Sequence, residues 1–379
     1  MPTQPQFELL GLTSHELTDL FARMGEPRFR ASQLFDALYR QRLTLLDSVS
    51  TLPMSLRSRL SLEGYVAGFP TVDQRFVSVD GTVRYLVRFS DGQTVETVWM
   101  PDGDGVEDTE ELPPGAFNPA ASRPSINPPN RRGTICLSSQ SGCAVNCKFC
   151  MTALLGLQRN LTAGEIVGQV LLVLNDHRIE IGRDRINLVF MGQGEPFLNY
   201  RNFMRAVQLL VDGTGIPESR MTVSTSGIVP RIADFGAEPI RPHLAISLNG
   251  SNDELRERIM PINRTWNLDA LLEAARQFPL RNRERLTFEY VLLSGVNDAP
   301  QNALEVVALL RGIRAKVNLI ALNPGLEIPF QTPTVQAVEA FQQTLLAAGI
   351  PAYLRRPRGL DIYAACGQLK RTSALVSLP

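Results

Sequence analysis

From Arg132 onward the 379-residue chain alternates short apolar, β-branched runs with stretches of helical periodicity. Nothing else in the sequence limits the fold as tightly. Candidate strands are 133–139, 186–191, 221–225, 243–248, 286–293 and 316–321. Candidate helices between and after them are 162–175, 200–211, 229–235, 268–277, 299–311 and 333–348. Six strand–helix units imply a parallel sheet with helices outside it. A complete barrel needs two more units. The expected fold class is therefore α/β, an incomplete TIM-like (β/α)6 barrel, over residues 132–356.

The segments before it differ. Residues 1–70 look helical: Thr13 and Glu16 form a capping-box pattern ahead of Leu17, Leu20, Phe21 and Met24, and Gly25 and Pro27 stop the helix. A second amphipathic stretch carries Phe29, Leu34, Phe35 and Leu38, and a third runs through Leu45, Leu56 and Leu60. Arg23, Arg28, Arg30, Arg40 and Arg42 cluster there, so this accessory domain suits either packing or RNA docking. Residues 71–100 alternate apolar and polar, with turns at Asp80-Gly81 and Asp91-Gly92, and read as a β meander leading to the core. Residues 101–131 hold an acidic run from Asp102 to Glu111 and then Pro113, Pro114, Pro119, Pro124, Pro128 and Pro129. Such a composition has little to bury and reads as a flexible insert. Residues 357–379 form a C-terminal segment.

Charge excludes little. The 38 basic and 38 acidic residues cancel, which rules out a strongly basic nucleic-acid coat protein but not a local basic patch. No apolar run is long enough to span a membrane. The start, MPTQPQFELL, has neither the basic nor the apolar region of a secretory signal, so a cytoplasmic setting is expected.

Cysteine usage is more telling. Cys136, Cys143, Cys147 and Cys150 fall close together, and Cys366 stands alone near the end. An odd count without a secretion signal argues against a disulfide framework. Thiolates on a short loop suit zinc or an iron–sulfur cluster. Structural zinc wants four ligands, whereas three thiolates can hold three irons of a [4Fe–4S] cube and leave the fourth iron open.

Active sites of βα barrels form at the C-terminal ends of the strands. The first strand runs into Cys143, Cys147 and Cys150, and the second into Gly192-Gln193-Gly194-Glu195-Pro196. The third ends at Ser224, the fourth at Ser247-Leu248-Asn249 and the sixth at Asn323. Blander readings exist for some of these. Glu195 before Pro196 also suits a helix N-terminus, Ser224 a turn, and Glu96 a water-facing strand position.

The Cys-x3-Cys-x2-Cys loop on such a rim resembles the signature of the radical S-adenosylmethionine (SAM) superfamily. Residues 132–150 (RGTICLSSQSGCAVNCKFC), 191–199 (MGQGEPFLN), 223–227 (VSTSG), 245–248 (AISL), 261–263 (PIN) and 358–369 (RGLDIYAACGQL) further resemble the RlmN/Cfr family. That family methylates a ring carbon of adenosine in RNA. The resemblance spans about residues 8 to 371, apart from the insert. It departs at Asn249, where the family often has histidine, and at Leu360, where an acidic residue is common.

The resemblance implies a role for each matched position. Cys143, Cys147 and Cys150 would ligate a [4Fe–4S] cluster. Gly194, Glu195, Ser224, Ser247, Leu248, Asn249 and Asn323 would contact SAM, two molecules of which are used per turnover. Cys366 would carry a methyl group, Cys136 would resolve the resulting adduct by forming a disulfide with it, and Glu96 would accept a proton. The implied target is C2 of adenosine in 23S rRNA, with tRNA as a second substrate, on a monomeric enzyme fed by an electron donor such as flavodoxin or ferredoxin. A Cfr-type enzyme acting on C8 and a non-catalytic, zinc-bearing RNA-binding protein remain the alternatives.

Overall fold

The computed structural model describes residues 6–101, 131–323, 325 and 327–369. The acidic, proline-rich stretch from 102 to 130 lies outside the described residues, as does everything after Leu369.

The N-terminal module packs three helices, α1 (Ser14–Arg23), α2 (Arg28–Tyr39) and α3 (Met54–Leu62), beside the two-residue strands β1 (Phe7–Glu8) and β2 (Tyr65–Val66). The capping box forms as expected: Glu16 N bonds the Thr13 hydroxyl, and the Glu16 carboxylate takes the Thr13 amide. Leu17, Leu20 and Phe21 are buried on one face of α1. The third stretch is shorter than its leucines suggest. Leu45 is 65% exposed and lies before α3, because Pro53 starts that helix, and only Leu56 and Leu60 point inward. Phe29 is also exposed.

The meander strands are β3 (Thr71–Val77), β4 (Val83–Arg88) and β5 (Thr94–Pro101). The last of them, β5, pairs antiparallel with β6 (Arg132–Cys136), the first barrel strand, so the meander extends the barrel sheet. A small hairpin of β7 (Gln140–Gly142) and β8 (Leu157–Asn160) frames the cysteine loop, followed by α4 (Ala163–Asp176). The barrel then runs β9 (Arg185–Phe190), α5 (Tyr200–Leu209), β10 (Met221–Thr225), α6 (Val229–Ala237), β11 (His243–Ser247), α7 (Asp253–Ile259), α8 (Leu268–Gln277), β12 (Leu286–Leu292), α9 (Pro300–Leu309), β13 (Ala315–Ala321), α10 (Val335–Ala347) and β14 (Ala352–Leu354). One ten-stranded sheet results, in the order β14-β13-β12-β11-β10-β9-β6-β5-β4-β3. Within it, β6 and β9 to β14 are parallel neighbours, and the sheet is open at both edges.

Strand alternation then sorts the side chains. Ile135, Leu188, Phe190, Val223, Leu244, Ile246, Phe288, Tyr290, Val317 and Leu319 belong to the main core shared with the helices. The residues between them face the other way, into the barrel: Cys136, Val189, Ser224, Ser247, Glu289 and Asn318. Ser247 pairs in register with Glu289, and Glu289 with Asn318, so a polar row crosses three adjacent strands. Among the described residues, no helix is long and apolar enough to cross a membrane.

Candidate active site

The three cysteines of the 143–150 loop lie between β7 and β8. Cys147 feels the charges of Cys150 and Cys143, Cys143 feels that of Cys150, and both also feel Glu195. Burial pushes the Cys143 thiol up to about 12 and the Cys147 thiol well above its ordinary value. Neighbouring, desolvated thiols such as Cys143 and Cys147 are costly to ionise alone and suit a cationic group that would offset the charge. Among the described residues, no group of three or more His, Cys, Asp or Glu converges on one point as ligands of a single ion would. A cube-type cluster does not ask for that, since each thiolate binds a different iron. The donor set therefore fits such a cluster better than zinc.

The glycines of the second rim loop are explained by close approach. A Cβ at Gly194, whose φ is +98°, would lie 2.5 Å from the Gln140 Cβ. Glu195 is buried, with one carboxylate oxygen accepting from Phe197 N at 3.0 Å and the other from Ser226 N at 2.6 Å. It thus caps the short helical turn after it, as the blander reading has it, and also ties the β9 loop to the β10 loop. Burial pushes its carboxyl above the usual range, against the hydrogen bonds from Ser226 and Phe197.

Ser224 and Ser247 face each other across the inner wall, with hydroxyls 3.4 Å apart. Leu248 is a core residue whose side chain is fully buried. Asn249 sits in the left-handed region at φ +55°, and its side chain is spent inward: Oδ1 accepts from Val291 N at 2.7 Å, and Nδ2 meets the Met260 sulfur at 3.1 Å. Asn318 leaves a buried side-chain oxygen without a partner, an acceptor on the inner wall that a polar ligand in the barrel would satisfy.

The lone C-terminal cysteine does come to this rim. Met151 N donates to Gly367 O at 2.8 Å, Thr152 Oγ1 to Leu369 O at 2.8 Å, and Asn323 Nδ2 to Cys366 O at 3.2 Å. Cys366 is exposed to solvent, yet enough protein surrounds its sulfur that desolvation raises the thiol, with Glu289 adding to the effect. Cys136 is buried in a small apolar cluster with Val98, Val189, Ile362, Ala364 and Leu369, so the segment carrying Cys366 packs directly over it. Burial pushes the Cys136 thiol up, and the nearby Cys366 adds to the effect. The disulfide implied by the sequence resemblance is not formed; all five cysteines are free, the reduced form of the pair.

Glu96 is not water-facing. It is buried and ion-paired with Arg84, which is equally buried, and it accepts from Gln193 Nε2 at 3.3 Å. It stands two residues before Val98, the strand partner of Cys136, and so shares a face with it.

The sequence reading missed Arg256. This fully buried side chain bonds Leu248 O at 3.0 Å, Ser226 O at 2.7 Å, Ser247 O at 3.1 Å and Asn263 Oδ1 at 2.8 Å, knitting three rim loops together. Burial pulls its guanidinium down to about 10, against the opposing charges of Cys147 and Asp253. Its only local signal is an arginine among Leu255 and Ile259 on the buried face of α7.

Residues 137–307 match the model of the radical SAM superfamily, and residues 7–66 match the ribosomal RNA large subunit methyltransferase N-terminal domain. The chain is 64% identical, over 94% of its length and 99% of the relative, to the probable dual-specificity RNA methyltransferase RlmN of Koribacter versatilis. The chain belongs to the RlmN family. An RlmN from Anaeromyxobacter sp. is 43% identical over 97% of this chain and 91% of its own. A crystal structure of a radical SAM methyltransferase from Sphaerobacter thermophilus superposes with a TM-score of 0.83 at 42% identity, covering 96% of this chain and 99% of that one. Membership in the RlmN family makes this a radical SAM methyltransferase that uses a [4Fe–4S] cluster and two molecules of SAM per turnover.

Proposed function

We propose that this enzyme methylates C2 of adenosine in 23S rRNA and tRNA, with Cys366 as the methyl carrier, in the cytoplasm and as a monomer. The observation that carries the reading is the docking of the Cys366 loop onto both the cysteine loop, through Met151 and Thr152, and Cys136. Cys143, Cys147 and Cys150 would hold the cluster. When bound, the cluster supplies the one-electron cleavage of SAM to a radical able to take a hydrogen from an S-methyl group. A flavodoxin- or ferredoxin-class protein would supply the electron.

An adenine C2–H carbon is electron-poor, so direct displacement by it on a methyl sulfonium fails. Cys366 solves this by accepting the methyl first: its thiolate attacks the methyl carbon of one SAM and S-adenosylhomocysteine leaves. After hydrogen loss, its S-bound carbon radical would join C2 and link protein to RNA, the odd electron of the adduct being given up to the one-electron chemistry that the bound cluster would supply. Glu96, held by Arg84, accepts the ring proton. Cys136, as a thiolate, then attacks the Cys366 sulfur; the sulfur–carbon bond breaks, the bridging carbon keeps the electron pair and takes up a proton to become the methyl, and a disulfide forms as the methylated base leaves. The facing hydroxyls of Ser224 and Ser247, the Gly194-Glu195 turn and the unpartnered Asn318 oxygen offer polar groups to SAM at the strand ends.

C2 is favoured over C8 by the RGLDIYAACGQL segment, which leans toward the RlmN form. The test is an anaerobic reaction with reductant, SAM and RNA, followed by mass spectrometry of nucleosides. 2-Methyladenosine is expected from the native enzyme and none from Cys366→Ala; 8-methyladenosine would instead favour the Cfr-type reading.

A further inference from the structure

Cys366 lies on a short segment that makes no regular secondary structure beyond one helical turn at Leu360–Ile362. Its C-terminal side is fixed by Met151, Thr152 and Asn323. Its N-terminal side is fixed by the β3–β4 turn, and there the contacts are reciprocal. Asp361, contributed by the segment, accepts from the Ser78 hydroxyl and from Val79 N at 3.1 Å. Asp80, contributed by the turn, accepts from Gly359 N at 3.0 Å and from Thr82 N at 2.9 Å. Each carboxylate is thus held by a main-chain amide of the other partner. The fit is tight as well: a Cβ at Gly359, whose φ is +61°, would lie 2.7 Å from the Ala364 Cβ and 3.0 Å from the Thr82 methyl. Burial alone would raise Asp80, but the amides of Gly359 and Thr82 outweigh it and hold the carboxyl below its usual range.

The hydrogen bonds of the interlock join only residues 78–82 and 359–361, none of them to Cys136, Cys366 or the cysteine loop. Its two ends are far apart in sequence, and it joins the meander to the segment that covers Cys136. We infer that Asp361, with Asp80 as its counterpart, is a positioning residue: it sets the range of motion of Cys366 between the barrel mouth and Cys136. The inference rests on Cys366 being the methyl carrier. Fixing one end of a short loop raises the effective concentration of the thiols it brings together. Charge-assisted hydrogen bonds from both a hydroxyl and an amide make the anchor stronger than a neutral contact.

The readout is the Cys136–Cys366 disulfide equilibrium against glutathione, measured on the folded holoenzyme by mass spectrometry. Asp361→Ala should lower the effective concentration by about tenfold or more, as expected for losing a hydrogen-bonded charge. The cluster absorbance should stay native, and kcat should fall with the KM for RNA little changed. Ser78→Ala should give a smaller drop, and Ser78→Thr, which keeps the hydroxyl, should restore it. An unchanged disulfide equilibrium in both Asp361→Ala and Ser78→Ala would overturn the positioning role. Should Asp361→Ala fail to fold, the Ser78 pair still decides. Retained RNA methylation by Cys366→Ala would instead sink the methyl-carrier reading, and with it this inference.

Discussion

Asn323 Nδ2 donates to the main-chain carbonyl of Cys366 at 3.2 Å, so the loop after β13 grips the backbone of the C-terminal cysteine. Asn323→Ala should therefore loosen residues 364–369. A neutral hydrogen bond contributes about 1 kcal/mol, which is about fivefold in local opening. Amide hydrogen exchange of that segment, measured without SAM, should accelerate by this factor. Unchanged exchange alongside weakened SAM binding would assign Asn323 to the ligand alone.

Glu195 satisfies two buried amides at once, those of Phe197 and Ser226. Glu195→Ala leaves both without partners, at about 1–3 kcal/mol each. Urea unfolding should show a loss in that range or above, and SAM affinity by equilibrium dialysis should fall, because the β9 and β10 loops lose their tie. A variant with native stability and weak SAM binding would mean the carboxylate serves the ligand and not the loops.

Arg84 and Glu96 form an ion pair with both side chains 1% exposed. Removing one partner strands the other charge, so Glu96→Leu should cost about 3–5 kcal/mol, and adding Arg84→Met should recover much of it. The double variant separates stability from chemistry. If Glu96 accepts the ring proton, the stable double variant still stalls, with RNA covalently attached, on a denaturing gel. Normal turnover would place the base elsewhere.

His177 stacks on Trp99 at 4.5 Å between centroids and accepts or donates at Tyr85 Oη, 2.8 Å away. Burial lowers it to about 4, with Arg75 and Arg131 adding to the effect and Asp176 opposing it. The folded state therefore binds fewer protons than the unfolded one between pH 6.5 and 4. The contribution of His177 is full above the upper limit and is lost as pH falls toward the lower one. Over that window, urea stability should drop by up to about 3 kcal/mol. His177→Phe should flatten that part of the profile.

Periodicity made most of the barrel legible. The six expected strands and six expected helices all appear, because each must bury one regular face. The Thr13–Glu16 cap was equally readable, since its donors and acceptors are three residues apart. What spacing could not reveal are contacts made across the chain. The meander joins the barrel sheet because Val98 pairs with Cys136 beyond the acidic insert. Arg256, the Arg84–Glu96 pair and the Asp80–Asp361 interlock all depend on distant partners. Leu45 misled because an apolar residue 11 positions before Leu56, about three turns, fits the same helical period. Asn249 could be recognised as a departure, but its inward bonds to Val291 and Met260 could not.

The account turns on a covalent bond between Cys366 and the RNA base. The most direct measurement is mass spectrometry of the Cys136→Ala enzyme after anaerobic turnover. The predicted result is a Cys366 peptide joined to adenosine through a single carbon, with no methylated nucleoside released. A bare Cys366 peptide together with free methyladenosine would contradict it.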